Sequence, residues 1–76
     1  MRDIVQIAKD ADLIVNGYAF TLQQGLVRVL NLDAPDSAVV MTKDGDVLET
    51  TMDDIEVQIV RDYLRRDLKY LEAAHA

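Results

Sequence analysis

Few residues in this 76-residue chain are able to do chemistry, and their spacing argues against a catalytic site. A nucleophile needs a base within reach. The only histidine is His75, and the only serine, Ser37, lies in a proline-containing loop where it reads as a turn residue. Cysteine is absent, which removes thiolate chemistry and a disulfide framework together. Carboxylates are the abundant functional group, with 14 acids against 8 bases and a net charge of −6. Asp44 and Asp46, followed by Asp53, Asp54 and Glu56, invite comparison with a calcium-binding loop, but the spacing fails. Counted from Asp44, glycine stands second, not sixth, and Ile55 stands twelfth, where a bidentate glutamate is required. Asp44 and Asp46 read as turn residues, and Asp53, Asp54 and Glu56 as acids at the positive end of a helix.

Nothing predicts a buried carboxylate pair with a raised pKa, so a paired-acid hydrolase has no support. The three glycines, Gly17, Gly25 and Gly45, each mark a turn, and none belongs to a phosphate-cradling pattern. Tyr18 and Phe20 on one strand would resemble a base-stacking platform only with basic neighbours. Arg28 and Lys43 are all that stand near, so core packing is the stronger reading of both rings. No catalytic residue, cofactor or metal-ligand set is predicted.

The charge is unevenly distributed. Between Asp33 and Glu56 there are eight acids and one base, Lys43. Such a field repels phosphate backbones, so nucleic acid is not an expected partner; it suits a basic protein surface, and it also keeps a small apolar protein dissolved. After Met1-Arg2-Asp3 no charged-then-apolar leader follows. The uncharged stretch Leu13 to Val27 holds Asn16, Gly17, Gln23, Gln24 and Gly25, too polar for a membrane span. A cytoplasmic location is therefore expected.

The elements that would position any site follow from periodicity. Ile4, Ile7, Ala8 and Ala11 recur at helical spacing behind Asp3, predicting a short first helix to about Ala11. Asn16-Gly17 is either a type I′ hairpin turn between Leu13-Ile14-Val15 and Tyr18-Ala19-Phe20 or the left-handed end of a longer first helix. The hairpin is preferred, because Tyr18, Phe20 and Leu22 alternate with Ala19, Thr21 and Gln23. After Gln24-Gly25, Leu26 to Leu32 reads as a central strand. The loop Asp33 to Ser37 leads to Ala38–Thr42, and Asp44-Gly45 makes a tight turn before Val47–Thr50. Thr51 with Asp54, or Asp53 with Glu56, then caps a long helix running to about Glu72. The expected fold is one α+β domain over residues 1–76: a short N-terminal helix, an antiparallel meander of four or five short strands, and a long C-terminal helix packed on the sheet.

That last helix carries more apolar surface than one face uses. At 100° per residue, Ile55, Ile59, Tyr63 and Tyr70 fall in one sector, and Val57, Val60, Leu64, Leu68 and Leu71 in another. One sector packs on the sheet and the other requires a partner. Glu56 and Asp67 lie between the two, and Asp62 and Arg66 are spaced for an i,i+4 ion pair. The sequence does not choose between a contact centred on Ile59, Tyr63 and Tyr70 and one centred on Val60, Leu64 and Leu68. Unprotected sheet edges offer a second route to a dimer.

At VNGYAF (residues 15–20), LVRVLNL (26–32) and VLETTMDDIE (47–56) the chain resembles short uncharacterised bacterial proteins of unknown function. The resemblance covers most of the chain and implies a bacterial origin, but no activity and no functional residues. The residues themselves predict a non-enzymatic, homodimeric interaction module. Two other readings are an acidic, inhibitor- or antitoxin-like protein bound to a basic partner, and a small-ligand carrier, the latter disfavoured by the small core.

Overall fold

The structure, a computed structural model, describes residues 11–74. Five strands, β1 (Leu13–Val15), β2 (Tyr18–Gln23), β3 (Leu26–Asn31), β4 (Ala38–Thr42) and β5 (Val47–Thr50), are followed by one helix, α1 (Asp54–Ala73). The strands pair antiparallel in chain order, giving an α+β meander with a single C-terminal helix. The helix expected from Asp3 to about Ala11 falls on residues 1–10, outside the described residues.

Two of the connections are two-residue hairpins. Asn16 and Gly17 have φ of +48° and +83°, and Gln24 and Gly25 have +53° and +79°. Positive φ at both central residues defines the type I′ turn, whose twist matches that of the flanking strands. Asn16-Gly17 is therefore the hairpin and not a helix end; Val15 and Tyr18 close it.

Register then sorts the side chains. Phe20 lies opposite Val29 and Val29 opposite Val39, while Leu22 lies opposite Val27 and Val27 opposite Met41. With a period of two, all six share one face. They are buried there against Val57, Val60, Leu64 and Leu71 of α1, with Met52 closing the core beside the start of the helix. Ala19, Thr21, Arg28, Leu30, Ala38 and Val40 take the other face. At the outer edge, a bulge between Val40 and Met41 shifts the β4–β5 register, and every residue of β5 is exposed.

Of the overlapping capping signals, Asp53 is the one that caps α1. It sits in extended conformation and its Oδ1 accepts the Glu56 backbone N–H at 2.8 Å. Thr51 is used elsewhere: its hydroxyl accepts the Ala38 N–H at 3.0 Å and donates to the Asp36 carbonyl, tying the β3–β4 loop to the approach of the helix. No helix among the described residues is long and apolar enough to cross a membrane.

Candidate interaction surface

The packing of α1 answers the question its two apolar sectors pose. Val57, Val60, Leu64 and Leu71 point into the sheet and are buried, with Leu68 half-buried at their margin. The other sector faces outward: Ile55 is 74% exposed, Ile59 41% and Tyr70 56%. Of the six residues expected at an interface, Val60 and Leu64 thus belong to the core, Leu68 and Tyr63 lie at the boundary, and Ile59 and Tyr70 are on the surface. The choice rests on angle. Leu64 and Leu71 lie within 20° of each other on the helix and are buried in the common core, whereas Ile55 and Tyr70 lie more than 90° away.

Both flanks of the helix are pinned. On one side Glu56 Oε2 accepts from Tyr18 Oη at 2.8 Å and from Asn31 Nδ2 at 2.9 Å, joining three elements through one carboxylate oxygen. Tyr63 follows one face of the helix down, its ring tilted 52° to that of Tyr18 with centroids 6.1 Å apart, and its hydroxyl accepts from Asn16 Nδ2 at 2.9 Å. On the opposite flank Arg61 Nε donates to the Gly45 carbonyl at 3.0 Å, and Lys43 faces Glu72 at 3.7 Å. Burial, and then the neighbouring Glu56 carboxylate, push the Tyr18 phenol up from 10.0 to about 12. That makes Tyr18 a persistent hydrogen-bond donor and a poor nucleophile or base.

The Tyr18–Glu56–Asn31 junction was not legible in the sequence. Glu56 stands three residues after Asp53, where a capping box would turn its side chain back on the cap; here the carboxylate is drawn to two donors on the sheet instead. The expected Asp62–Arg66 pair also does not form. Arg66 lies over the Tyr63 ring, 5.3 Å from its centroid, which swings its guanidinium onto Asp67 at 3.0 Å and away from Asp62. Asp62 makes no ion pair among the described residues.

The acids divide between two ends of the sheet. Asp33 and Asp36 on the β3–β4 loop lie at the end where Asp53 and Asp54 open α1, and Asp44 and Asp46 occupy the β4–β5 turn at the other. Among the described residues no three histidine or acidic side chains converge as a metal site would require. Ser37 lies in the β3–β4 loop, where its N–H donates to the Ala34 carbonyl. His75 is outside the described residues. On the face away from α1 a depression of about 290 Å³ is walled by Ala19, Thr21, Arg28, Leu30 and Val40. That is the lower end of the size of ligand pockets.

The fold is thus a small α+β domain whose helix closes one face of a five-stranded meander and turns a second apolar stripe outward. The chain belongs to a family described as a family of unknown function (DUF7723), whose model matches residues 1–71. No curated protein and no solved structure matches it.

Proposed function

We propose that this domain is a non-enzymatic, self-associating interaction module of the bacterial cytoplasm, with the outward stripe of α1 as its contact surface. The observation that carries this reading is the exposure of Ile55, Ile59 and Tyr70 on a helix whose other stripe already fills the core. Isolated exposed apolar residues are ordinary, but aliphatic and tyrosine side chains aligned along one helix are the composition of an interface. Light scattering over a wide concentration range tests it. The expected result is a dimer that dissociates on dilution, and an Ile59→Asp variant that stays monomeric with its helical circular dichroism intact. A wild-type chain that is monomeric at every concentration, or an Ile59→Asp variant as dimeric as wild type, would overturn the proposal.

A second reading has its own observation: Asp33, Asp36, Asp53 and Asp54 gather at one end of the sheet, and such a patch suits a basic protein partner. Its signature is a salt-sensitive complex weakened by converting these four residues, or Asp44 and Asp46 at the other end, to Asn. A complex unchanged by those variants would remove it.

A further inference from the structure

We infer that the two copies of α1 pair antiparallel, the stripe of one lying head to tail on the stripe of the other; this rests on the self-association proposed above. Charge along the helix is segregated. From Asp53 to Val60 there are three acids, Asp53, Asp54 and Glu56, and no base; from Arg61 to Glu72 there are four bases, Arg61, Arg65, Arg66 and Lys69, and three acids, Asp62, Asp67 and Glu72. Glu56 and Arg61 are bonded to the sheet side, so the exposed charges beside the stripe are Asp53 and Asp54 at its start and Arg65, Arg66 and Lys69, with Asp62, in its second half. A parallel pair sets the acidic starts against one another. An antiparallel pair sets the acidic start of each copy against the more basic second half of its partner, and the opposed helix dipoles act in the same sense.

The stripe is also symmetric in its spacing, as a two-fold contact requires of a surface that must complement itself. Ile55 and Tyr70 are equidistant from the midpoint between Asp62 and Tyr63, and so are Ile59 and Arg66. With the axis at that midpoint, the exposed isoleucine at one end meets the partner's tyrosine ring, and Ile59 meets the aliphatic stem of the partner's Arg66. Asp62, next to the axis, is exposed and makes no ion pair among the described residues, so it is available to a base of the other copy. Lys69, 5.2 Å over the Tyr70 ring, stands at the same end of the stripe.

From Ile55 to Tyr70 the stripe is about 22 Å long. A helix face of that length offers less than the roughly 800 Å² that each partner contributes to an interface of ordinary size. Apolar burial alone therefore discriminates weakly between the two orientations, and the charge pattern decides.

The absence of cysteine makes the test clean, because any thiol introduced is the only one in the chain. Ile55→Cys and Tyr70→Cys, one of them carrying a size tag, are oxidised mildly alone and as a mixture, with Asp62→Cys beside them. All three positions are exposed, so the fold is left alone. Asp62→Cys lies near the centre of the stripe and cross-links to itself in either orientation, so it reports self-association. The expected result is self-linking of Asp62→Cys, and mixed 55-to-70 dimers at least several-fold more abundant than either self-linked product. If Asp62→Cys links but 55-to-55 and 70-to-70 products dominate, the antiparallel arrangement is overturned while self-association stands. If no variant links and wild type is monomeric by light scattering, both fall together.

Discussion

The Tyr18 hydroxyl donates to Glu56 Oε2 at 2.8 Å across 38 residues of chain, and this single bond fixes the first turn of α1 to the second strand. Asn31 donates to the same oxygen at 2.9 Å, so the carboxylate joins β2, β3 and α1 at one point. Removing the phenol leaves Glu56 half-buried with one donor fewer. Tyr18→Phe is expected to lower stability by about 1.5 kcal/mol, the lower end for a hydrogen bond to a charged group, measured by urea unfolding at pH 7. The alkaline limb gives a second readout. The phenol's pKa is 10.0 when unfolded and about 12 when folded, so the native state holds the proton more tightly. Its contribution is complete below pH 10 and is lost as pH rises from there through 12. The difference in stability between wild type and Tyr18→Phe should therefore shrink across that interval and stay constant between pH 7 and 9.

Leu64 and Ile55 separate the two jobs of the helix. Leu64 is 1% exposed and central to the core. Its truncation to alanine should cost about 2–5 kcal/mol, a large part of the roughly 4–11 kcal/mol expected for a domain of this length. Ile55→Ala, compared at a concentration where the chain is monomeric, should leave stability within about 0.5 kcal/mol of wild type. A thermal melt of each variant decides.

Gln24 carries an avoidable cost. It holds φ of +53° in the β2–β3 hairpin with an ordinary side chain. Left-handed backbone costs such a residue about 1–2 kcal/mol, and asparagine recovers part of that in a type I′ turn. Gln24→Asn should raise the unfolding free energy by about 0.5–1 kcal/mol, seen as a higher urea midpoint with the slope of the transition unchanged.

Gly45 answers to a different neighbour. At φ of +94° a Cβ here would approach Arg61 Cγ to 3.1 Å and Cδ to 3.2 Å, while Arg61 Nε is bonded to the Gly45 carbonyl. Gly45→Ala should cost about 2 kcal/mol. Part of that loss should vanish in the background of Arg61→Ala, since the clash is then gone; a double-mutant cycle showing a coupling of at least about 0.5 kcal/mol checks it.

Much of the fold was written in local pattern. The alternation of Tyr18, Phe20 and Leu22 placed β2 on two faces and favoured a hairpin at Asn16-Gly17 over a helix end, Asp44-Gly45 marked a turn, and the overlapping signals at Thr51 and Asp53 marked the helix start. What the chain could not reveal locally were matters settled between elements. Either apolar sector of α1 is acceptable to an isolated helix, and only the position of the sheet brings Val60 and Leu64 inward. The spacing of Asp62 and Arg66 favoured a pair that Tyr63 and Asp67 outcompete for the guanidinium. Glu56 seemed a capping residue because its two donors, Tyr18 and Asn31, lie 38 and 25 residues away.

The meander precedes its cover in the chain, and this has a consequence during synthesis. Val27, Val29, Val39 and Met41 leave the ribosome before any of α1, whose 20 residues end two residues past Leu71. At about 5–20 residues per second, elongation needs roughly 1–4 s to add the helix. Until α1 is in place the apolar face of Val27, Val29, Val39 and Met41 has no cover, so a chain held short of the helix offers that face to a chaperone.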